Sequence, residues 1–343
     1  MKKGMLLLVA IFSLSACCDD ELLQINDCVT TIDDYTMPAL EVIDSSIAAC
    51  IDCPIDCQEI FSTAIPYDYF YPCFNPTNPD QIAYYQYDNS TQQLTYELWV
   101  ADFCKNEKRL IANNALYGLN WGVNDYLVYT GNDQNIWKIK PNGDSLTQLT
   151  FSGDYNRYPK WSPDGSKMLY NKSIGARNYY LLMDADGIVL DTLDALAGAA
   201  AFSWMDEHRI CYLVADTSLP FTTSLNYYNL NTEEVTFLHH LTNTHNNDLL
   251  IINTAFSQED NVIFWCALGT IGKTDLVSGN YEIIRERLYQ EHFKFLSFNP
   301  DRDEILFNKA SRKYHDYCQF DTDYGFFLIN TDGSNQRRVT LPE

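Results

Sequence analysis

Apolar and polar positions in this chain follow no sustained helical period. Short apolar runs return instead, each bounded by turn residues: Ile82-Ala83-Tyr84, Leu127-Val128-Tyr129, Met168-Leu169-Tyr170, Ile210-Cys211-Tyr212, Val262-Ile263-Phe264 and Ile305-Leu306-Phe307. A continuous apolar run of this length reads as a strand buried on both faces. An aromatic residue precedes each run: Phe74, Trp121, Trp161, Trp204, Phe256 and Phe298. Their spacings of 47, 40, 43, 52 and 42 residues suit a repeat of four strands.

The clearest unit contains Trp161-Ser162-Pro163-Asp164-Gly165 followed by Met168-Leu169-Tyr170. Pro163 presets φ for a turn and Gly165 supplies a positive φ, so the segment predicts a hairpin with its mechanism visible. Third strands follow at 98–100, 136–139, 180–183, 225–228 and 326–329, with a weak one at 271–274. Turns then come at Asn142-Gly143, Asp186-Gly187, Ser278-Gly279 and Asp332-Gly333, where a hairpin to a fourth strand needs them. Fourth strands are expected at 109–111, 148–150, 235–238, 281–284 and 338–340. Six such units predict an all-β six-bladed β-propeller, each blade burying both faces against its neighbours. A strand over residues 64–71 is expected to complete or clasp the last blade.

The Trp161-Ser162-Pro163-Asp164-Gly165 motif, the Asp-Gly turns and Leu149-Thr150 resemble the TolB-type propeller repeat, related to WD-like repeats. The resemblance covers residues 66–343 and implies a fold like the C-terminal domain of TolB. The long N-terminal domain that precedes the TolB propeller has no counterpart here. A TolB-like role in envelope integrity therefore does not carry over, because fold alone does not fix function.

The chain starts Met1-Lys2-Lys3-Gly4, and an apolar run of ten residues, Met5 to Leu14, follows. A spanning helix needs about 20 residues, so this run reads as a secretory signal peptide. Leu14-Ser15-Ala16-Cys17 resembles the bacterial lipobox, which implies lipidation of Cys17 and removal of residues 1–16. Two or three acyl chains on one residue make a durable anchor. Cys18-Asp19-Asp20-Glu21 resembles the export signal of Bacteroidota lipoproteins, which implies an outer-membrane address, on the surface or the periplasmic face. Residues 17–65 are then an acidic, Cys-rich tether and 66–343 the propeller.

Charge narrows the partners. The net charge is −23, and no Lys or Arg lies between Lys3 and Lys105. Such a field repels phosphate backbones, which excludes nucleic acid, and it disfavours an anionic membrane surface except through the lipid. Of the 11 Cys, ten remain once Cys17 is lipidated, and an oxidising compartment makes disulfides the expectation. Cys28, Cys50, Cys53 and Cys57 cluster ahead of the propeller and Cys73 follows. Cys50 to Cys57 superficially suggests a metal knuckle, but no second ligand pair lies nearby, so disulfide staples are favoured. Cys211 and Cys266 sit inside expected strands and read as core residues.

Candidate chemistry concentrates in His-bearing segments expected to be loops at one propeller mouth. His239, His240 and His245 are placed between the fourth and fifth blades, and His292 ahead of the sixth. Tyr314, His315 and Asp316 are placed in a long loop over residues 308–325. Long loops on a rigid scaffold are where function concentrates. Converging imidazoles would suit a transition metal, in the style of some propeller lyases acting on uronate sugars. Asp184-Ala185-Asp186-Gly187 hints at a Ca²⁺ loop but lacks the terminal bidentate Glu and coincides with a repeat turn.

No nucleophile elbow and no phosphate-binding Gly-rich loop occurs in the sequence. The leading expectation is a non-catalytic binding or scaffolding lipoprotein for a protein, peptide or glycan, with no cofactor. The rival is a metal-dependent lyase or hydrolase using the five histidines, and a third reading is a structural subunit of an envelope complex.

Overall fold

The computed structural model of the chain describes residues 24–25, 29–33, 67–88, 96–216, 222–242, 251–267, 270–286, 291–316 and 319–342. These residues are mostly β-strand, arranged as a propeller of meandering sheets. Among them no helix is long and apolar enough to cross a membrane.

The apolar runs become the second strand of each repeat. Leu127–Gly131 is buried at every position, and residues 82–86, 168–171 and 305–309 are buried throughout. Both faces of these strands are covered, which is why the sequence shows unbroken apolar runs rather than alternation. The expected turns also form. Gly143, Gly187, Gly279 and Gly333 all adopt positive φ, between 74° and 91°. In the 161–167 hairpin, Ser162 Oγ donates to Asp164 Oδ1 at 2.6 Å and accepts the Lys167 N–H at 2.9 Å, and Gly165 takes φ +69°. Asp164 also accepts hydrogen bonds from Ser166, and these bonds hold its carboxyl below the usual range against the opposing effect of desolvation.

The expectation of six separate four-stranded blades needs correction. Four meanders of four consecutive strands stand apart, spanning residues 155–192, 199–242, 251–286 and 291–339. The first two repeats instead form one seven-stranded sheet running from Tyr67–Asn75 to Thr147–Gln148. The cause is Glu107–Trp121, a single 15-residue strand. Its first part pairs with Tyr96–Asp102 and its last part with Leu127–Gly131. Where the other repeats break the chain between their fourth and next first strand, here the backbone stays extended and the ladder never ends.

The clasp is also corrected. Tyr67–Asn75 pairs with Asn78–Asp88 in its own sheet. The strand added to the last sheet is Val29–Asp33, with Thr31 opposite Val339 and Asp33 opposite Arg337, and Gln24–Ile25 pairs outside it. A further fourth strand, Val189–Thr192, begins within the short apolar run Ile188-Val189-Leu190 after the Asp186-Gly187 turn, and all four of its residues are exposed.

Six apolar clusters hold the described residues together, each shared by consecutive repeats. Val128, Ile136 and Leu149 pack with Trp161, Met168 and Met183. Tyr180 and Leu182 pack with Phe202, Trp204 and Tyr212. Cys211 and Leu213 meet Ile263 and Trp265, and Phe264 and Cys266 meet Phe293 and Phe307. Cys73, Tyr85 and Leu98 meet Trp121, Leu127 and Tyr129 across the seven-stranded sheet. Finally Ile82, Tyr84 and Phe103 pack with Leu306, Phe326, Leu328 and Val339, so the last repeat meets the first. At about 25 cal/mol per Å² of apolar surface removed from water, these clusters are the main stabilising term.

Candidate functional site

The repeat places its first strand innermost, and these strands together line a cavity of about 300 Å³. Every repeat contributes: residues 71–76, 119–123, 160–163, 203–204, 254–256 and 295–301. The lining begins at Tyr71 and Phe295, whose rings stack with centroids 3.8 Å apart. It extends toward the turns that join first and second strands, where Val123, Pro163 and Asp301 lie. The aromatic residues that marked the repeat in sequence serve this geometry. Trp161 Nε1 donates to the Tyr126 carbonyl of the preceding repeat at 3.0 Å, and Trp204 Nε1 to the Lys160 carbonyl at 3.1 Å.

Each first strand carries a break in register: at 70/73, 117/119, 157/160, 199/201, 251/253 and 294/296. A bulge bends a strand and re-aims its side chains. In four repeats the bulged residue has positive φ: Tyr71 at 51°, Gly118 at 53°, Tyr158 at 54° and Phe295 at 50°. Left-handed backbone is rare for aromatic residues. Gly118 has a second reason to be glycine, because a Cβ there would sit 2.6 Å from Tyr158 Cα. Tyr71 packs its ring against Tyr85, and burial, with the phenols of Tyr158, Tyr96 and Tyr117, raises its pKa well above the usual value.

Lys160 follows the bulge of the third repeat and lines the cavity. Its Nζ donates to the Phe202 carbonyl at 2.8 Å and to the Thr254 carbonyl at 3.1 Å. The ammonium also lies 5.4 Å from the Phe202 ring centroid. It spans the third, fourth and fifth repeats with neutral acceptors alone in those bonds. Desolvation lowers its pKa from 10.5 to about 8, a shift opposed by Cys73. The Cys73 thiol, also on the wall, is itself pushed up by burial to about 11. Asp301 is exposed at the rim.

Three further wall residues carry buried polar atoms without a hydrogen-bond partner: Trp121 Nε1, Thr254 Oγ1 and Asn299 Nδ2. All three atoms are closed to a water-sized probe, so each lies behind the surface of the wall.

The residues singled out in sequence lie elsewhere. His239 and His240 are in Glu234–Thr242, the outer strand of the fourth repeat, not in a loop. His292 is in Glu291–Asn299, the first strand of the sixth. Tyr314, His315 and Asp316 end Glu304–Asp316, which pairs with Gln319–Asn330, so the expected long loop is an extended β-hairpin. Backbone register puts all of these at the end of the sheets opposite the cavity's turns. His240 is exposed, with Nδ1 3.4 Å from Ser224 Oγ. His245 and the segment with Cys50, Cys53 and Cys57 lie outside the described residues, as do Cys17 and the signal segment.

Among the described residues no three of His, Cys, Asp and Glu gather as a metal-holding group. The Asp184–Gly187 segment is a plain turn, with Asp184 Oδ1 accepting the N–H groups of Asp186 at 3.0 Å and Ile188 at 2.8 Å. Cys73 and Cys211 are free thiols, and these two and Cys266 are buried. Nothing local in the sequence marks Lys160, which shares the strand Tyr155–Trp161 with a second cation, Arg157.

No family model matches the sequence, and no curated protein matches it. Solved structures do. A TolB from Agrobacterium tumefaciens aligns with TM-score 0.52 and 14% identity, over 68% of this chain and 84% of that one. TolB from Acinetobacter baumannii aligns with TM-score 0.54 and 14% identity, over 82% and 85%. A nidogen/laminin complex aligns with TM-score 0.53 and 9% identity, over 80% and 94%. At such identities the likeness is one of fold: the chain folds as a TolB-like β-propeller.

Proposed function

We propose that this protein is an envelope lipoprotein, anchored through Cys17, whose propeller is a non-catalytic platform that receives a ligand in its central cavity. The observation that carries this reading is the cavity itself, walled by all six first strands and holding a lysine with uncharged partners. A concave space on a rigid scaffold, lined by aromatic rings and by polar side chains in comparable measure, is a place where a ligand can be received. The nidogen/laminin complex is consistent with this use of the architecture for recognition. The seven-stranded sheet acts as two blades folded about Glu107–Trp121, which makes the count six. Packing of its two halves face to face supports that count.

Two measurements test the reading. A photo-crosslinking residue at Val123, exposed and on the cavity wall, should capture a partner on intact cells, and one at exposed Tyr155 should not. Ser203→Trp should fill the cavity and abolish that capture; undiminished capture would refute the cavity as the site. Separately, Cys17→Ser should release the protein from membranes and prevent acyl labelling, and continued membrane retention would refute the anchor.

A further inference from the structure

We propose that the protein stands on its membrane by one rim, with the outer edge of the last sheet toward the lipid and the third repeat, across the ring, farthest from it. This orientation rests on Cys17 being the lipid anchor and adds to that reading the surface that the anchor brings to the bilayer.

The length of the tether sets the geometry. By sequence the propeller begins at residue 66, and residues 18–66 separate Cys17 from Tyr67, an extended reach of roughly 170 Å. A body on so long a tether has no preferred side. The structure shortens it. Val29–Asp33 is laid along Arg337–Val339, the outer strand of the last sheet, with Thr31 opposite Val339, Ile32 opposite Arg338 and Asp33 opposite Arg337. Gln24–Ile25 pairs in turn with Val29 and Thr30, so it is the outermost strand of that sheet. Only residues 18–23 separate Cys17 from Gln24, a reach of at most about 25 Å. The first element that the chain forms after the lipid is therefore the rim of the last repeat. Residues 34–66 come after that attachment and add nothing to the reach.

Ring closure then fixes what lies on the other side. The apolar clusters join each repeat to the next and the last to the first, so the third repeat is three steps from the sixth in either direction. First strands line the cavity, so the last strand of each sheet points away from the axis. Attachment at an outer strand is attachment at the rim, and with that rim down the axis runs along the membrane. The turns at Val123, Pro163 and Asp301, where the cavity opens, then face sideways. The exposed strand Val189–Thr192, at the outer edge of the third repeat, points away from the lipid.

A short tether limits height but still lets the body fall onto one face. Charge opposes that. The chain carries a net charge of −23, and an anionic leaflet repels it within a Debye length, about 8 Å at physiological salt. Lying flat would bring a whole face of the propeller into that layer. Standing on the tethered rim brings one edge into it.

Energy transfer tests the orientation on the mature, lipidated chain in vesicles of phosphatidylethanolamine and phosphatidylglycerol, with an acceptor dye on some headgroups. The donor is attached through a genetically encoded residue. A donor at Thr340, exposed and next to Arg337–Val339, should transfer several times more strongly than one at Leu190, exposed on the outer strand of the third repeat. A spacer of about 20 Gly and Ser residues has a root-mean-square span of about 25 Å. Placed after Glu21 it should weaken transfer from Thr340, and placed after Ala48 it should leave both donors unchanged. Undocking the strand gives an independent check. Successive N–H groups of a strand point to opposite sides, so Thr31→Pro together with Ile32→Pro removes a ladder donor to Arg337–Val339. This double variant should stay on the membrane and lose the contrast between the two donors.

Equal transfer from Thr340 and Leu190 in the parent protein, or stronger transfer from Leu190, would overturn the orientation. So would a spacer after Ala48 that acts as the one after Glu21 does. A contrast retained by the double proline variant would overturn the docked strand as its cause. Full membrane retention of Cys17→Ser would instead remove the anchor reading beneath it.

Discussion

Lys160 shows how a single side chain carries information that only its surroundings reveal. Its ammonium is ordinary in the unfolded chain and has a pKa of about 8 in the folded one. Below about pH 8 both states hold the proton, and the cost of enclosing the charge is fully present. Between about 8 and 10.5 the folded state has shed a proton that the unfolded state keeps, so this residue makes stability rise with pH. The Cys73 thiol acts oppositely between its usual 9.0 and about 11, so the lysine must be isolated by difference. Denaturant titrations of the parent and Lys160→Met should show the parent gaining relative to the variant from about pH 7 to about pH 10. The gain should reach at most about 3 kcal/mol, at roughly 1.36 kcal/mol per pKa unit and reduced by the water that reaches the cavity. A flat difference would mean the lysine is solvated. Gly118 offers a steric counterpart. Gly118→Ala combines φ +53° with a Cβ against the Tyr158 backbone and should cost about 1–3 kcal/mol or more, read from the unfolding midpoint.

At the scale of the element, the aromatic at the end of each first strand is a fastener between repeats as well as a core residue. Trp161→Phe keeps most of the ring and removes the hydrogen bond to the Tyr126 carbonyl. It should destabilise by about 1 kcal/mol, with the effect on exchange protection at 126–129 as the local check. The second strands and their turns were legible in sequence because double-sided burial and positive φ leave compositional marks. Val189–Thr192 left a weaker mark, the three apolar residues Ile188-Val189-Leu190, since an exposed outer strand is held by its backbone ladder to Leu181–Met183. The six bulges were silent. A register break costs no particular residue type, and three of the four left-handed positions are aromatic, where a reader looks for glycine. The His-bearing hairpin has the sequence of a loop for a related reason: Lys, Arg, Asp and His in Glu304–Asp316 conceal a ladder that depends on its partner strand.

On the scale of the molecule, closure joins residues more than 200 positions apart. Phe74 donates its N–H to Ser297 Oγ at 3.1 Å, and Arg302 pairs with Asp80. The Val29–Asp33 strand then adds to Arg337–Val339 at the outer edge of the last sheet. Removing residues 18–33 from the mature chain should expose that edge, speed hydrogen exchange at 337–339 and lower the thermal midpoint. Unchanged exchange there would show that the added strand contributes nothing to holding the edge. Arg337, buried and paired with buried Glu304, should keep the inner part of that sheet folded in the truncated protein.

Repetition is a property of the sequence, and the sequence by itself determined the β architecture: six returns of an aromatic, a turn and a doubly buried strand leave few other ways to cover the apolar surface. The fusion of the first two repeats, the strand that closes the edge and the cavity with Lys160 at its wall were decided by tertiary structure. Each depends on which backbone ladders continue and on which residues from separate repeats meet at one axis. Such meetings are set by the geometry of closing a ring, and local sequence has no means of recording them.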